Sequence, residues 1–137
     1  MFSHSSPRIK RPSRTGSVAV EFALVVPIVL MFFFGGFEFC RVAMIRHTAD
    51  NAVYEGARRG IIPGGTRGEV VAEATRVLST IGIRNAAVDV TPGRIDDDTE
   101  ELTVSVTVPI DSNSFVPAQY FIGRVITRQL TMRREGQ

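Results

Sequence analysis

The sequence has few of the groups that build covalent cross-links, with one cysteine among 137 residues. That residue, Cys40, cannot form an intrachain disulfide. Because it lies at the end of an apolar stretch, we expect it to act as a small apolar side chain. An intermolecular disulfide is the alternative.

Candidate catalytic groups are equally scarce. His4 falls in a basic N-terminal tail and His47 in a charged stretch, and the chain has neither a Gly-x-Ser-x-Gly motif nor ligands at metal-binding spacing. Without a base, a metal site or a cofactor loop, a reaction has no evident residues to perform it. The sequence predicts a protein that is not an enzyme and that uses no metal and no cofactor.

Acidic residues are missing from the first 16 positions, which carry four basic ones: Arg8, Lys10, Arg11 and Arg14. The whole chain has 16 basic and 14 acidic residues, so without these four the balance is 12 to 14. The net charge of +2 therefore belongs to the tail and not to a basic binding face. This distribution argues against a nucleic-acid partner and indicates a basic leader over residues 1–16.

Charge and hydroxyl groups are also missing from residues 22–37. The wider apolar stretch, residues 17–40, carries two carboxylates, Glu21 and Glu38, near its ends. As a helix it would be about 36 Å long, enough to cross a bilayer core of about 30 Å. A cleaved secretory signal fits poorly, because no small-x-small site follows the apolar run.

Two interpretations of this segment as a membrane anchor remain. The anchor is either an uncleaved signal anchor or one trimmed before its apolar part. Both place the basic N-terminus in the cytoplasm and residues 41–137 across the membrane, by the positive-inside rule.

Glu21 is the residue that an ordinary anchor does not explain, because an unpaired carboxylate in lipid costs several kcal/mol. Arg14-Thr15-Gly16, followed by Glu21-Phe22 and the apolar run, resembles a type IV prepilin processing site. The resemblance implies that a prepilin peptidase cuts between Gly16 and Ser17. Glu21 would then pair with the new Ser17 amine of a neighbouring subunit, or be recognised by the peptidase, and the sequence does not separate these roles.

A second block is similar to TadE-like proteins of the tight-adherence (Flp) pilus machinery. It consists of Glu38-Phe39 and the segment that contains Asn51, Gly56, Ala57 and Arg58. The mature chain would begin with serine, where major pilins usually begin with phenylalanine, and it is longer than a typical Flp major pilin. These differences favour a minor pseudopilin over the main filament subunit.

Beyond the apolar stretch, the spacing of hydrophobic residues predicts an α+β domain of pilin-like type. A stripe at spacings of three and four predicts that the first helix continues to about residue 60; it comprises Val42, Ile45, Ala49, Ala52 and Gly56. Thr66 and Glu69 form a capping-box pattern before a second, short helix over about 67–81.

Strands are predicted at Val88–Thr91, at Leu102–Val108 and at Val125–Arg133, and together they predict a small three-stranded antiparallel sheet. Pro109 ends the second strand or marks a sheet edge.

Two loops allow more than one interpretation. The acidic run 96–101 favours a solvated hairpin tip over a calcium site, because it lacks the spacing and the glycine of an EF-hand. Residues 112–121 contain Phe115, Pro117, Tyr120 and Phe121, and they form either a lid over the sheet or a partner-binding loop.

Taken with the resemblance, the sequence predicts a minor pseudopilin in a bacterial inner membrane. It has a single span, a cytoplasmic N-terminus and a periplasmic or extracellular C-terminal domain. Its expected partners are the prepilin peptidase, other pilins or pseudopilins, the inner-membrane assembly platform and membrane lipid. The alternative is an uncleaved single-pass protein whose outer domain binds a ligand or a partner.

Overall fold

The computed structural model of the protein describes residues 15–96, 98–115 and 123–134. Its elements are helix α1 (Thr15–Ile61), helix α2 (Arg67–Ser79) and strands β1 (Ala87–Thr91), β2 (Glu101–Pro109) and β3 (Val125–Arg133). The strands form one antiparallel sheet in the order β1-β2-β3. The predicted α+β class, with a long helix, a short helix and a three-stranded antiparallel sheet, is confirmed.

The chain divides into two compact units, with the boundary between Gly36 and Phe37. In the described part of the first unit, residues 15–36, α1 is helical throughout and includes Pro27. Most of the large apolar side chains of this part are exposed along its whole length; Val18 near its start is 64% exposed and Phe34 near its end is 60% exposed. A helix that is apolar all round and unburied requires an apolar surrounding.

The second unit, residues 37–137, has one hydrophobic core between the helices and one face of the sheet. Strict alternation in β2 buries every second side chain against the helices. The buried core residues are Ile45, Ala49, Ala52, Val53, Ala57, Val70, Ala74, Leu78, Val90, Leu102, Val104, Val106, Val108, Ile110 and Ile126.

Helix α2 begins as its sequence predicts. The Thr66 side chain accepts a hydrogen bond from the Glu69 N–H (3.3 Å), and the Glu69 carboxylate accepts one from the Thr66 N–H (3.1 Å). The helix ends at Ser79, and Gly82 follows with a φ of 68°, a left-handed conformation that favours glycine.

Pro109 ends β2, where it is paired with Val125 of β3. Because β2 is the central strand of the sheet, the alternative that Pro109 marks an edge is wrong. A proline is accepted here because it lies at the last position of the strand, where the loss of one N–H disrupts little of the ladder.

Candidate functional site

The residues of the predicted processing site lie in the first two turns of α1. The helix begins at Thr15, so Gly16 and Ser17 lie in its first turn. Ser17 and Glu21 are four residues apart and therefore lie on the same side of the helix, one turn apart. Both are exposed, as is Phe22 at 69%, and no heavy atom lies within 4 Å of where a Gly16 β-carbon would be.

The apolar segment that follows is the one candidate membrane span among the described residues. The most apolar 18-residue stretch of this helix is not buried by the described parts of the protein. An exposed apolar surface of this extent is unfavourable in water. The hydrocarbon core of a bilayer would accommodate this surface. A helix suits that environment because its backbone N–H and C=O groups pair with each other within the segment.

Glu38 and Phe39, the pair in the second sequence block, have opposite environments. Phe39 is 75% exposed, whereas Glu38 is 6% exposed. The Glu38 carboxylate accepts a hydrogen bond from the backbone N–H of Phe115 (3.0 Å), which lies 77 residues later in the chain. A buried carboxylate needs such polar partners to offset its loss of hydration.

Arg41, one turn after Glu38 on α1, contacts the β2–β3 connection as Glu38 does, and also the segment after α2. Its guanidinium donates hydrogen bonds to the carbonyl oxygens of Asn113 (3.2 Å) and Ile81 (3.0 Å). Asn113 is buried, and its side chain accepts from the Arg84 N–H and donates to the Arg84 and Pro109 carbonyls, each at 2.8 Å.

These contacts connect three parts of the second unit that are distant in sequence. Helix α1, the α2–β1 connection and the β2–β3 connection meet around Asn113. We call this network, made of Glu38, Arg41, Arg84, Asn113 and Phe115, the polar junction.

Sequence reasoning placed Glu38 at the end of the membrane helix and did not find the polar junction. One signal was available. Extending the buried stripe of α1 back by one turn from Val42 reaches Glu38, so the same periodicity that predicts the core also places this carboxylate on its face.

The remaining block residues divide between the core and the surface. Gly56 and Ala57 are buried, and Asn51 and Arg58 are exposed. A β-carbon at Gly56 would lie 3.3 Å from the Ala74 β-carbon, so α1 and α2 pack closely at this glycine. Arg58 forms only a long ion pair with Glu55, at 3.9 Å.

Gly60 lies where the first helix was predicted to end, and the structure gives it a packing role. Helix α1 continues to Ile61, and a side chain at position 60 would overlap Leu102 and Val70. The Gly56-x-x-x-Gly60 spacing is thus a close-approach motif within the domain.

A charged cleft of about 300 Å³ lies between α1 and α2, lined by Glu55, Arg58, Arg59, Ile62 and Glu73. Its carboxylates are engaged by arginines: Arg76 donates to Glu73 (2.9 Å), and this contact lowers the pKa of the Glu73 carboxyl. Such neutralisation within each helix leaves no strong field of one sign for a ligand.

At the edge of the cleft, the Thr66 N–H lowers the pKa of the Glu69 carboxyl, and Arg59 at 2.8 Å lowers it further. The shift follows from the capping box and an exposed ion pair, both of which favour the charged carboxylate.

The two loops are placed as follows. The acidic run lies in the connection between β1 and β2, where Arg94 donates to Asp96 (2.9 Å) and Asp97 is outside the described residues. Over the described ranges, no three histidine, cysteine, aspartate or glutamate side chains cluster as a metal site would require. Pro117, Tyr120 and Phe121 of the predicted lid also lie outside the described residues.

The architecture is that of an α+β protein with one candidate membrane span on an exposed N-terminal helix. Within that class, the family model described as TadE-like protein matches residues 16–58. The match confirms the predicted resemblance to TadE-like proteins over this part of the chain, which includes the apolar segment of the candidate membrane span. Comparisons with curated proteins and with solved structures gave no match.

Proposed function

We propose that this protein is a minor pseudopilin of the tight-adherence pilus, matured by a prepilin peptidase that cuts between Gly16 and Ser17. The role is one of assembly and not of catalysis. The mature subunit is held in the bacterial inner membrane by α1, with residues 41–137 in the periplasm or beyond. Its partners are other pilins or pseudopilins and the inner-membrane assembly platform.

The observation that carries the proposal is the extent of the family match. It begins at residue 16, the glycine of the proposed cleavage site, and ends at residue 58, the arginine of the second block. It therefore covers the first sequence block from Gly16 onward, the apolar helix and the second block.

The chemistry of the helix start supports the same role. Cleavage would create an α-amino group on Ser17, at the edge of an apolar helix and four residues from the Glu21 carboxylate. In lipid, each charge is costly alone, and breaking a buried pair by removing one partner costs about 3–5 kcal/mol. An amine of one subunit and the Glu21 carboxylate of the next would fix the register of neighbouring helices.

The mass of the intact protein extracted from membranes tests the maturation step. A start at Ser17 supports the proposal. A start at Met1 or Phe2 contradicts it and supports the alternative, an uncleaved single-pass protein with an outer binding domain.

The Glu21→Ala variant tests the assembly step, with Val20→Ala as the matched control because Val20 is its exposed apolar neighbour. We expect Glu21→Ala to stay anchored in the membrane but to be lost from pilus fractions, while Val20→Ala assembles normally. Equal incorporation of the two variants would contradict the role of Glu21.

A further inference from the structure

We propose that Phe115, in the β2–β3 connection, is a second membrane contact that inserts into the headgroup–acyl boundary of the bilayer. The inference rests on the membrane anchoring of the proposed function but not on leader cleavage or on pilus assembly. The occupant is lipid, and a protein partner is the competing outcome of the test.

The first observation is an exposed aromatic pair. Phe115 is 67% exposed and Phe37 is 53% exposed, and their ring centroids are 5.4 Å apart. Phe37 is the last residue of the uncharged apolar run of α1, so along the chain it lies near the end of the predicted membrane-spanning stretch. Contact with Phe37 therefore places Phe115 at the depth where the helix leaves the lipid.

The second observation is that the loop is held at this place by charged groups of α1. The buried Glu38 carboxylate accepts from the Phe115 N–H, and the Arg41 guanidinium carbon lies 5.4 Å from the centre of the Phe115 ring. The carboxylate holds the Phe115 backbone and the cation contacts its ring, while the residue as a whole stays 67% exposed. In water, the exposed Phe115 side chain gains no free energy from burial, whereas at a bilayer boundary its ring would be buried.

The third observation concerns two arginines in the segments that meet at the polar junction. Arg84, whose backbone binds the Asn113 side chain, and Arg124, whose carbonyl accepts from the Ile110 N–H (2.9 Å), are both exposed. Neither forms an ion pair within the described residues, although seven other arginines do. The nearby Asp111 carboxylate accepts hydrogen bonds from the Ser112 N–H and hydroxyl.

Two exposed arginines without an ion pair among the described residues, whose backbones bind the segment just before Phe115, would complement the phosphates of a bilayer surface. This charge favours a lipid headgroup layer over an apolar protein groove as the occupant.

The chain contains no tryptophan, so a single Phe115→Trp substitution provides a unique fluorophore. The full chain is reconstituted in vesicles of phosphatidylcholine and phosphatidylglycerol that carry a nitroxide-labelled lipid, with the label placed near the headgroup. Tyr54→Trp is the matched control, because Tyr54 is a half-exposed aromatic residue on α1, about 26 Å along the helix beyond Phe37.

We expect the tryptophan of Phe115→Trp to be quenched as strongly as that of Phe37→Trp and to emit at shorter wavelength than that of Tyr54→Trp. Quenching of Phe115→Trp no greater than that of Tyr54→Trp overturns the proposal and leaves the pair as a protein-binding surface.

Phe32→Trp separates this failure from a failure of the anchor. Phe32 is 74% exposed within the apolar run and should be quenched by a label deep in the acyl chains. If Phe32→Trp is quenched and Phe115→Trp is not, the anchor is correct and the loop contact is wrong. If neither is quenched, the membrane anchor of the proposed function is itself wrong.

The role of Glu38 in positioning the loop is tested in the Phe115→Trp background. Glu38→Gln retains an oxygen acceptor for the Phe115 N–H and should retain the quenching, whereas Glu38→Ala should reduce it. Equal quenching in the two variants overturns the positioning role.

Discussion

Replacing Gly56 with leucine should destabilise the second unit, because this position has no room for a side chain. A β-carbon there would lie 3.3 Å from the Ala74 β-carbon, 3.4 Å from the Val70 carbonyl oxygen and 3.6 Å from a Val104 methyl group. Leucine adds three further carbons beyond that crowded point, so α1 must move away from α2 and the sheet.

The expected cost follows from two opposing effects. Overpacking a core typically costs about 1–3 kcal/mol, and three added carbons favour the upper end of that range. Leucine is a better helix former than glycine by about 0.8 kcal/mol, which offsets part of the cost. The net loss is about 2 kcal/mol, which for a domain of this size lowers the melting temperature by about 10 °C.

The assay is thermal unfolding of the purified full chain in detergent, followed by circular dichroism. Gly36→Leu is the matched control, because no heavy atom lies within 4 Å of a β-carbon at that helical glycine. Gly56→Ala should be close to neutral, since one methyl group is tight but gains about 1 kcal/mol of helix propensity. If Gly56→Leu melts within about 2 °C of the parent protein, the close packing of α1 on α2 is refuted.

Three further predictions concern the second unit. Thr66→Ala removes the N-cap of α2 and should lower the free energy of unfolding by about 1 kcal/mol in a denaturant titration; an unchanged midpoint would show that the capping box does not contribute. Folding lowers the pKa of the Glu69 carboxyl below its ordinary value of 4.5. The charged carboxylate should therefore stabilise the folded protein above pH 4.5, and this stabilisation should be lost as the pH falls through the lower folded pKa. In a carboxyl NMR titration, Arg59→Gln should move the Glu69 pKa back upward. Asp50→Asn breaks the Asp50–Arg128 pair (2.8 Å) and should change the unfolding free energy by less than about 1 kcal/mol, because both partners are substantially exposed; a larger loss would mean that the pair is coupled to the core.

Local patterns in the sequence were enough to predict the secondary structure. The alternation from Leu102 to Val108 can bury one face only as a strand, and the stripe from Val42 to Gly56 can do so only as a helix. Thr66 and Glu69 satisfy each other within one turn, so the start of α2 needs no distant partner. The strand order follows the general tendency of strands that are consecutive in the chain to lie next to each other in a sheet.

The candidate site was predictable in part. The residues proposed for processing and those of the second block were predicted from spacing and resemblance, and the family match runs over residues 16–58. The polar junction was not predicted, because Glu38 acquires its partner from Phe115, on a loop 77 residues away. No periodicity in the sequence records which backbone N–H will face a given carboxylate.

The sequence by itself determined which segments are helix and strand, where the apolar helix lies and which residues resemble a prepilin, because each depends on residues a few positions apart. Only the tertiary structure decided that Gly60 is a packing position, that Glu38 is buried in the second unit and that Phe115 contacts Phe37. Those properties depend on how closely two surfaces approach after folding, and this distance is set by all the side chains between them.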